Sequence, residues 1–84
     1  MKITLKLFAS LTDYLPPAVK YTNMLEMDVA SDASISQIIG PMALPEKMVH
    51  LVLVNGKYVE PADRMTRTLV EGDVLAIWPP IAGG

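Results

Sequence analysis

The segment Val49–Val54 has the sequence VHLVLV and runs directly into Asn55-Gly56. A run of nearly unbroken apolar residues is typical of a central strand that is covered on both faces. Asn-Gly is a strong signal for a two-residue hairpin turn, because both central positions of that turn need a positive φ. We therefore expect a central strand, a tight turn and a short return strand over Lys57–Glu60, which Pro61 ends.

Three more strands are expected around this hairpin. Residues 2–8 and residues 23–29 alternate between apolar and polar side chains, as half-buried strands do, and we expect the two to be antiparallel. Val74–Trp78 follows a turn at Glu71-Gly72-Asp73, and Pro79-Pro80 prevents this last strand from continuing. The connection over residues 9–22 leaves room for one short helical turn, which Pro16 ends.

One helix is expected, over Ser34–Ile39. Ser34 and Gln37 have the spacing of a capping box, and Gly40-Pro41 stops the helix. The order is then strand, strand, helix, strand, short strand, strand. In the usual arrangement of this order the first and last strands lie side by side and parallel. The sequence therefore predicts an α+β fold of the β-grasp type, with a mixed sheet and one main helix packed on one face.

The composition excludes several kinds of protein. A chain of 84 residues is expected to form one domain. It has no cysteine and one histidine, which excludes a disulfide scaffold, a zinc finger and a thiolate nucleophile, so we expect no metal and no cofactor. The net charge of -2 argues against nucleic-acid binding, and no apolar run is long enough to span a membrane. We expect a cytoplasmic protein that binds neither nucleic acid nor membranes.

The chemistry is expected in the last seven residues, which have the sequence WPPIAGG. Two glycines at the end offer no packing, but their backbone can enter a channel too narrow for any Cβ. Pro79-Pro80 favours extended polyproline II geometry. We expect residues 1–78 to form the domain and residues 79–84 a flexible tail. The reactive group would be the carboxylate of Gly84, which a partner enzyme converts to an acyl-adenylate and then to a thiocarboxylate.

The sequence resembles the MoaD/ThiS-type family of small β-grasp sulfur carriers, and within it the small subunit of molybdopterin synthase. The likeness rests on residues 52–59 (VLVNGKYV), on residues 71–74 (EGDV) and above all on residues 78–84 (WPPIAGG). It implies a ubiquitin-like fold and a non-catalytic role in molybdenum or tungsten cofactor biosynthesis.

The same resemblance implies the partners. A ubiquitin-activating-like adenylyltransferase would activate Gly84 with ATP, and a persulfide source would supply the sulfur. The tail would then enter the large subunit of molybdopterin synthase, which supplies the catalytic side chains and receives the sulfur for the pterin precursor. The residues that would thread into that partner are Pro79, Pro80, Ile81, Ala82 and Gly83.

Two aromatic residues are candidates for the partner interface. If the helix covers Leu75 and Ile77, the alternation places Trp78 on the open face of the sheet, near the tail. Phe8 falls on the polar side of the first strand, where it either covers the sheet edge or joins Trp78. An exposed aromatic residue of this kind is typical of a partner contact.

The charged residues are interpreted as parts of turns and loops. His50 is expected to be a surface or partly hydrogen-bonded residue of a strand and not a catalytic base. The acidic residues expected beside turns are Glu60, Asp63, Glu71 and Asp73. The basic residues expected either in solvated loops or opposite acidic residues of an activating enzyme are Lys57, Arg64 and Arg67.

Three other functions remain open from the residues. The chain could carry sulfur for another pathway, such as thiamine synthesis. It could be a ubiquitin-like modifier that forms an isopeptide bond from Gly84 to lysines of its targets. It could also be a passive interaction domain, in which the two glycines have no chemical role. A self-contained enzyme is the class that the sequence favours least, because no catalytic constellation is present.

Overall fold

A mixed sheet of five strands forms the body of the protein in a computed structural model, which describes residues 1–80. The strands and the α-helix are β1 (Lys2–Leu7), β2 (Met24–Asp28), α1 (Ile35–Ile39), β3 (Leu51–Val54), β4 (Lys57–Tyr58) and β5 (Val74–Trp78). Short 3₁₀ turns lie at Ala9–Tyr14, Lys20–Thr22, Gly40–Met42, Glu46–Met48 and Pro61–Asp63. The predicted order of elements is confirmed.

The strand order is β2-β1-β5-β3-β4. β1 and β5 are parallel neighbours in the middle of the sheet, and every other pair is antiparallel. This is the mixed sheet expected for a β-grasp, with the first and last strands side by side. The predicted antiparallel pairing of β1 with β2 is also confirmed.

The core lies between one face of the sheet and α1. Alternate residues of the strands point to this face, so the apolar members of each alternating pattern are more buried than their neighbours, completely in β1 and partly in β2. The fully or almost fully buried side chains here include Ile3, Leu5, Leu7, Val52, Val54, Leu75 and Ile77 from the sheet, and Ile35 and Ile38 from the helix. We call the opposite side of the sheet the open face.

The short helix is fixed at its start by the predicted capping box. The main-chain N–H of Ser34 donates to Gln37 Oε1 at 2.9 Å, and the N–H of Gln37 donates to Ser34 Oγ at 3.2 Å. Each bond satisfies one of the N–H groups that a helix start leaves without a partner. The α-helix ends at Ile39 and the chain continues as the 3₁₀ turn Gly40–Met42.

The predicted hairpin turn is also confirmed. Asn55 and Gly56 have φ of 51° and 83°, both positive as the turn requires. The Asn55 side chain then connects this turn to the start of β5: its Nδ2 donates to Asp73 Oδ1 at 2.9 Å, and its Oδ1 accepts from the N–H of Val74 at 2.9 Å. Asp73 is buried and accepts from the N–H of Val70 through its other oxygen. It therefore holds two turns together.

The β3 strand differs from the expectation in two respects. It begins at Leu51, two residues later than predicted. It is also covered on one face only, since Val52 and Val54 are buried whereas Leu51 and Leu53 are half-buried. The expectation of a strand covered on both faces was wrong, because α1 packs on one side and no other element among residues 1–80 covers the open face of this strand.

Arg64 is the second correction, since its side chain does not lie in a solvated loop, which was one of the two expectations for it. Its side chain is almost completely buried, and its three nitrogens donate to main-chain carbonyls. Nε bonds Val59 O at 3.2 Å, Nη1 bonds Val49 O at 3.2 Å, and Nη2 bonds His50 O at 3.1 Å. The carbonyl of Arg64 accepts from the N–H of Ser36 at 2.9 Å, so Arg64 is also bonded to α1. One residue thus fixes three segments.

We predict that Arg64→Ala lowers the free energy of unfolding by at least about 2 kcal/mol, because a single hydrogen bond made by a charged group is worth roughly 1.5–3 kcal/mol and three carbonyls lose their donor. Arg64→Lys should recover less than half of this loss, since an ammonium cannot reproduce the planar fork. Urea unfolding followed by circular dichroism measures both. Arg67→Ala is the control, because its exposed side chain should change the value by less than about 0.5 kcal/mol. Equal stability of Arg64→Ala and Arg67→Ala would contradict the assignment.

Candidate functional site at the carboxyl end of the last strand

The ends of β1 and β5 lie together because the two strands are parallel. Leu7 pairs with Ile77, and the N–H of Phe8 donates to Ile77 O at 3.2 Å. Phe8 and Trp78 are therefore the next residues on each strand, and the alternation directs both to the open face. Their rings are stacked, with centroids 3.8 Å apart and an angle of 4° between the planes. We call this pair the aromatic platform.

The aromatic platform is on the surface. Trp78 is 39% exposed, whereas its neighbour Ile77 on the helix-covered face is fully buried. The prediction that Trp78 lies on the open face is confirmed, and Phe8 joins it. A stacked aromatic pair contributes roughly 0.5–1.5 kcal/mol beyond the area that it buries. The stack therefore holds Trp78 in place while leaving part of it accessible.

The open face extends the platform with apolar residues of β3 and β4. Leu51 pairs with Trp78 across the β3–β5 ladder, and Leu53 pairs with both Ala76 and Tyr58. Residues that face each other across a ladder share one side of the sheet, so these side chains continue the apolar surface toward the sheet edge. Sequence reasoning missed Leu51, Leu53 and Tyr58 as surface residues. Their position could have been predicted, because antiparallel pairing of β3 with β5 places these three residues on the same face of the sheet as Trp78.

The chain leaves the sheet directly beside the platform. The N–H of His50 donates to Trp78 O at 3.2 Å, Pro79 is buried, and Pro80 is exposed. The predicted functional residues Ile81, Ala82, Gly83 and Gly84 lie outside the described residues. The assignment of reactivity to Gly84 and of threading to residues 79–83 therefore stays a prediction.

The other charged candidates do not converge on a second site. His50 is exposed, as expected for a surface histidine, and Glu60 and Glu71 are exposed beside turns. Within residues 1–80, no group of three or more His, Asp or Glu side chains is placed so that it could hold a metal ion. Among these residues, no helix has both the length and the apolar character needed to cross a bilayer.

One carboxyl group at the opposite end of the sheet has a shifted pKa. The amino group of Met1 donates to Asp28 Oδ1 at 3.0 Å. This hydrogen bond, together with the positive charge of the amino group, lowers the pKa of Asp28 below its ordinary value. The contact connects the start of β1 to the end of β2 and takes no part in the site.

Comparisons with known proteins agree with this architecture. The model of the Mut7-C ubiquitin family matches residues 1–82. A search of curated protein sequences found no match.

Three solved structures are similar over the full length or nearly so. SAMP1 from Haloferax volcanii is 25% identical, with a TM-score of 0.67 and full coverage of both chains. A crystal structure of small archaeal modifier protein 1 from H. volcanii is 24% identical, with a TM-score of 0.60 and coverage of 95% of this chain and 98% of that one. A chain from the complex of subunits 1 and 2 of molybdopterin-converting factor from Helicobacter pylori is 15% identical, with a TM-score of 0.63 and full coverage of both. The fold is therefore that of ubiquitin-like β-grasp proteins of the MoaD/ThiS type.

We predict an energetic coupling of about 1 kcal/mol between Phe8 and Trp78, the usual size for a stacked aromatic pair. A double-mutant cycle with Phe8→Leu and Trp78→Leu, measured by urea unfolding with circular dichroism detection, gives this value. Phe8→Leu combined with Tyr58→Leu is the matched control, because β5 and β3 separate these two residues and their effects should add to within about 0.5 kcal/mol. Additive behaviour of the Phe8 and Trp78 changes would show that the stack contributes nothing.

Proposed function

Because the chain belongs to the Mut7-C ubiquitin family, we propose that it acts as a ubiquitin-like carrier whose reactive group is the carboxylate of Gly84, and that the cargo is sulfur. The observation that supports this most is the position of the aromatic platform. Phe8 and Trp78 form a rigid, partly exposed surface at the point where the chain leaves the sheet, six residues before Gly84. A partner that holds the platform would receive the segment that ends in Gly-Gly.

The chemistry requires no side chain of the carrier. In a chain that ends at Gly84, a carboxylate oxygen would attack the α-phosphorus of ATP and release pyrophosphate, which gives an acyl-adenylate. The terminal sulfur of a persulfide on a partner would then attack the acyl carbon and expel AMP. Cleavage of the remaining S–S bond by a second thiol, which becomes part of a disulfide, would leave the thiocarboxylate. These steps fit a chain without cysteine.

The body of the protein would serve as the surface that partners recognise. Exposed tryptophan in a well-ordered setting is among the residues that dominate protein interfaces. Leu51 and Leu53 enlarge the apolar surface around Trp78, and both remain half-buried for lack of a covering element among the described residues. We propose two partners for this surface in turn: a ubiquitin-activating-like adenylyltransferase, and then the enzyme that accepts the sulfur.

For the accepting enzyme we propose the large subunit of molybdopterin synthase. The likeness of the fold to a chain in the molybdopterin-converting factor complex is compatible with this role, and the ending WPPIAGG is the sequence feature that favours it. In this proposal the chain is the non-catalytic small subunit in molybdenum or tungsten cofactor biosynthesis. A sulfur carrier for thiamine synthesis is less favoured, because Pro79-Pro80 is unusual for that relative.

A second candidate function is protein modification, in which Gly84 forms an isopeptide bond to a lysine of a target. The 25% identity to SAMP1, the small archaeal modifier protein 1 of H. volcanii, over the whole of both chains favours this possibility. Activation by adenylation is common to both functions. They differ only in the nucleophile that attacks the acyl-adenylate, which is a sulfur in one and an amine in the other.

We predict that the chain ending at Gly84 gains about 16 Da, the difference between sulfur and oxygen, when it is incubated with a ubiquitin-activating-like enzyme, ATP and a persulfide donor. Intact-mass spectrometry under denaturing conditions measures the gain. Omission of ATP and removal of Gly83-Gly84 should each abolish it. No gain with several cognate activating enzymes would overturn the sulfur-carrier proposal. Conjugates of higher mass in a denaturing pull-down from cells, without the gain, would favour the modifier.

We predict that Trp78→Ala weakens binding to the activating enzyme by about 30-fold, the effect of losing roughly 2 kcal/mol at an interface hot spot. Isothermal titration calorimetry with the full chain provides the affinity. Val70→Ala is the control, because Val70 is 67% exposed and precedes the turn at the opposite end of β5. An unchanged affinity of Trp78→Ala, with the fold retained by circular dichroism, would exclude the platform as the docking surface.

A further inference from the structure

A cavity of about 640 Å³ lies at the sheet edge, and neither residue of the aromatic platform lines it. The end of α1, the connection that follows it and the segment between β4 and Met65 form its walls. The volume falls within the range of about 300–1,000 Å³ that is typical of ligand sites. Most of the wall is apolar, with contributions from Ile39, Leu44, Val49 and Met65.

The polar part of the wall is mainly basic. Lys47, His50 and the buried Arg64 line the cavity, against one acidic residue, Glu46. All three hydrogen-bond acceptors of Arg64 are neutral main-chain carbonyls. The two ion pairs found among the described residues involve neither Lys47 nor Arg64. A buried positive charge without a carboxylate partner favours an anionic group placed beside it.

Arg64 is also fixed in position before anything binds. Its three bonds to Val59, Val49 and His50 hold the guanidinium in one place, and Nη1 and Nη2 each retain a second N–H because a guanidinium has five N–H donors. A carboxylate that entered the cavity would therefore meet a guanidinium that is already held in place, and binding would not cost the entropy of ordering that side chain. Such preorganisation lowers the cost of binding.

The rim of the cavity has the character of a protein interface. Met65 is 74% exposed and Tyr58 is 48% exposed, and the Arg64 guanidinium carbon lies 5.9 Å from the centre of the Tyr58 ring. Methionine, tyrosine and arginine are enriched in protein–protein interfaces. Two large exposed side chains beside a wide opening are more typical of a site that binds a protein segment than of a site that encloses a small molecule.

We propose that this cavity binds a segment of a partner protein that presents a large apolar side chain next to a carboxylate. The apolar side chain would fill the space between Ile39, Leu44 and Met65. The carboxylate would lie between Lys47 and Arg64. The site is distinct from the aromatic platform, although His50 lines the cavity and bonds Trp78 through its main chain. The proposal does not depend on the chemistry of Gly84.

NMR titration of the full ¹⁵N-labelled chain with short peptides tests the proposal. The probes are four tetrapeptides of the form acetyl-Gly-X-Glu-Gly-amide, in which X is Leu, Met, Phe or Trp, and their four counterparts with Gln in place of Glu. At least one Glu peptide should shift the amide signals of Leu44, Lys47 and Met65. Its Gln counterpart should bind about fivefold more weakly, as expected for loss of one partly exposed charge contact.

A charge reversal completes the experiment. Lys47→Glu should weaken binding of the Glu peptide by a similar factor and leave the affinity for the Gln peptide unchanged. The control is Lys2→Glu, a matched charge reversal of an exposed lysine in β1, which should alter neither affinity. Three results would overturn the proposal: no shifts with any of the four Glu peptides, equal affinity for Glu and Gln peptides, or shifts confined to the aromatic platform. Because no ATP or activating enzyme is present, none of these results bears on the sulfur-carrier function.

Discussion

The parallel pairing of β1 with β5 is the constraint on which the rest of the structure depends. It brings the two ends of the described chain into the centre of the sheet, so that strands at residues 2–7 and 74–78 share the core. The register that pairs Leu7 with Ile77 buries both side chains against the helix layer. It also brings Phe8 and Trp78 together on the other face. Core and candidate site are thus two consequences of one strand register, and a slip of one residue would exchange the faces and destroy both.

Arg64 has a comparable role in the part of the molecule that lacks regular structure. Between α1 and β5 the chain forms two short strands and several 3₁₀ turns, and a helix of five residues provides little surface for packing. A buried guanidinium compensates by bonding the carbonyls of Val49, His50 and Val59. The same geometry leaves an uncompensated charge at the wall of the cavity, because all three acceptors are neutral. The residue that orders this region therefore also determines what the cavity can bind.

Local patterns in the sequence were sufficient to predict most of the fold. Period-two alternation placed β1 and β2, and the turn at residues 71–73 together with Pro79-Pro80 placed β5. The Asn55-Gly56 pair placed the hairpin, and Ser34 with Gln37 placed the helix start. Each of these signals concerns residues that are close in sequence. Arg64 and the half-buried Leu51 and Leu53 were misjudged because their surroundings come from distant segments. An arginine bonded to three main-chain carbonyls carries no spacing pattern, since main-chain acceptors have no residue identity. The cavity was unforeseen for the same reason, because segments distant in sequence form its walls.

The stack of Phe8 on Trp78 allows partner recognition and the proposed reaction to occur in different parts of the chain. An isolated exposed tryptophan would lose side-chain entropy when a partner immobilised it, and that loss would weaken binding. Here Phe8 holds the ring before binding, at 3.8 Å and nearly parallel, and the main chain of Trp78 is bonded to His50. Recognition can therefore reside in a rigid part of the sheet. The segment beyond Pro80 then needs no side chain for affinity, and glycine, which contributes no contacts of its own, becomes an acceptable residue at the positions where the reaction is proposed to occur.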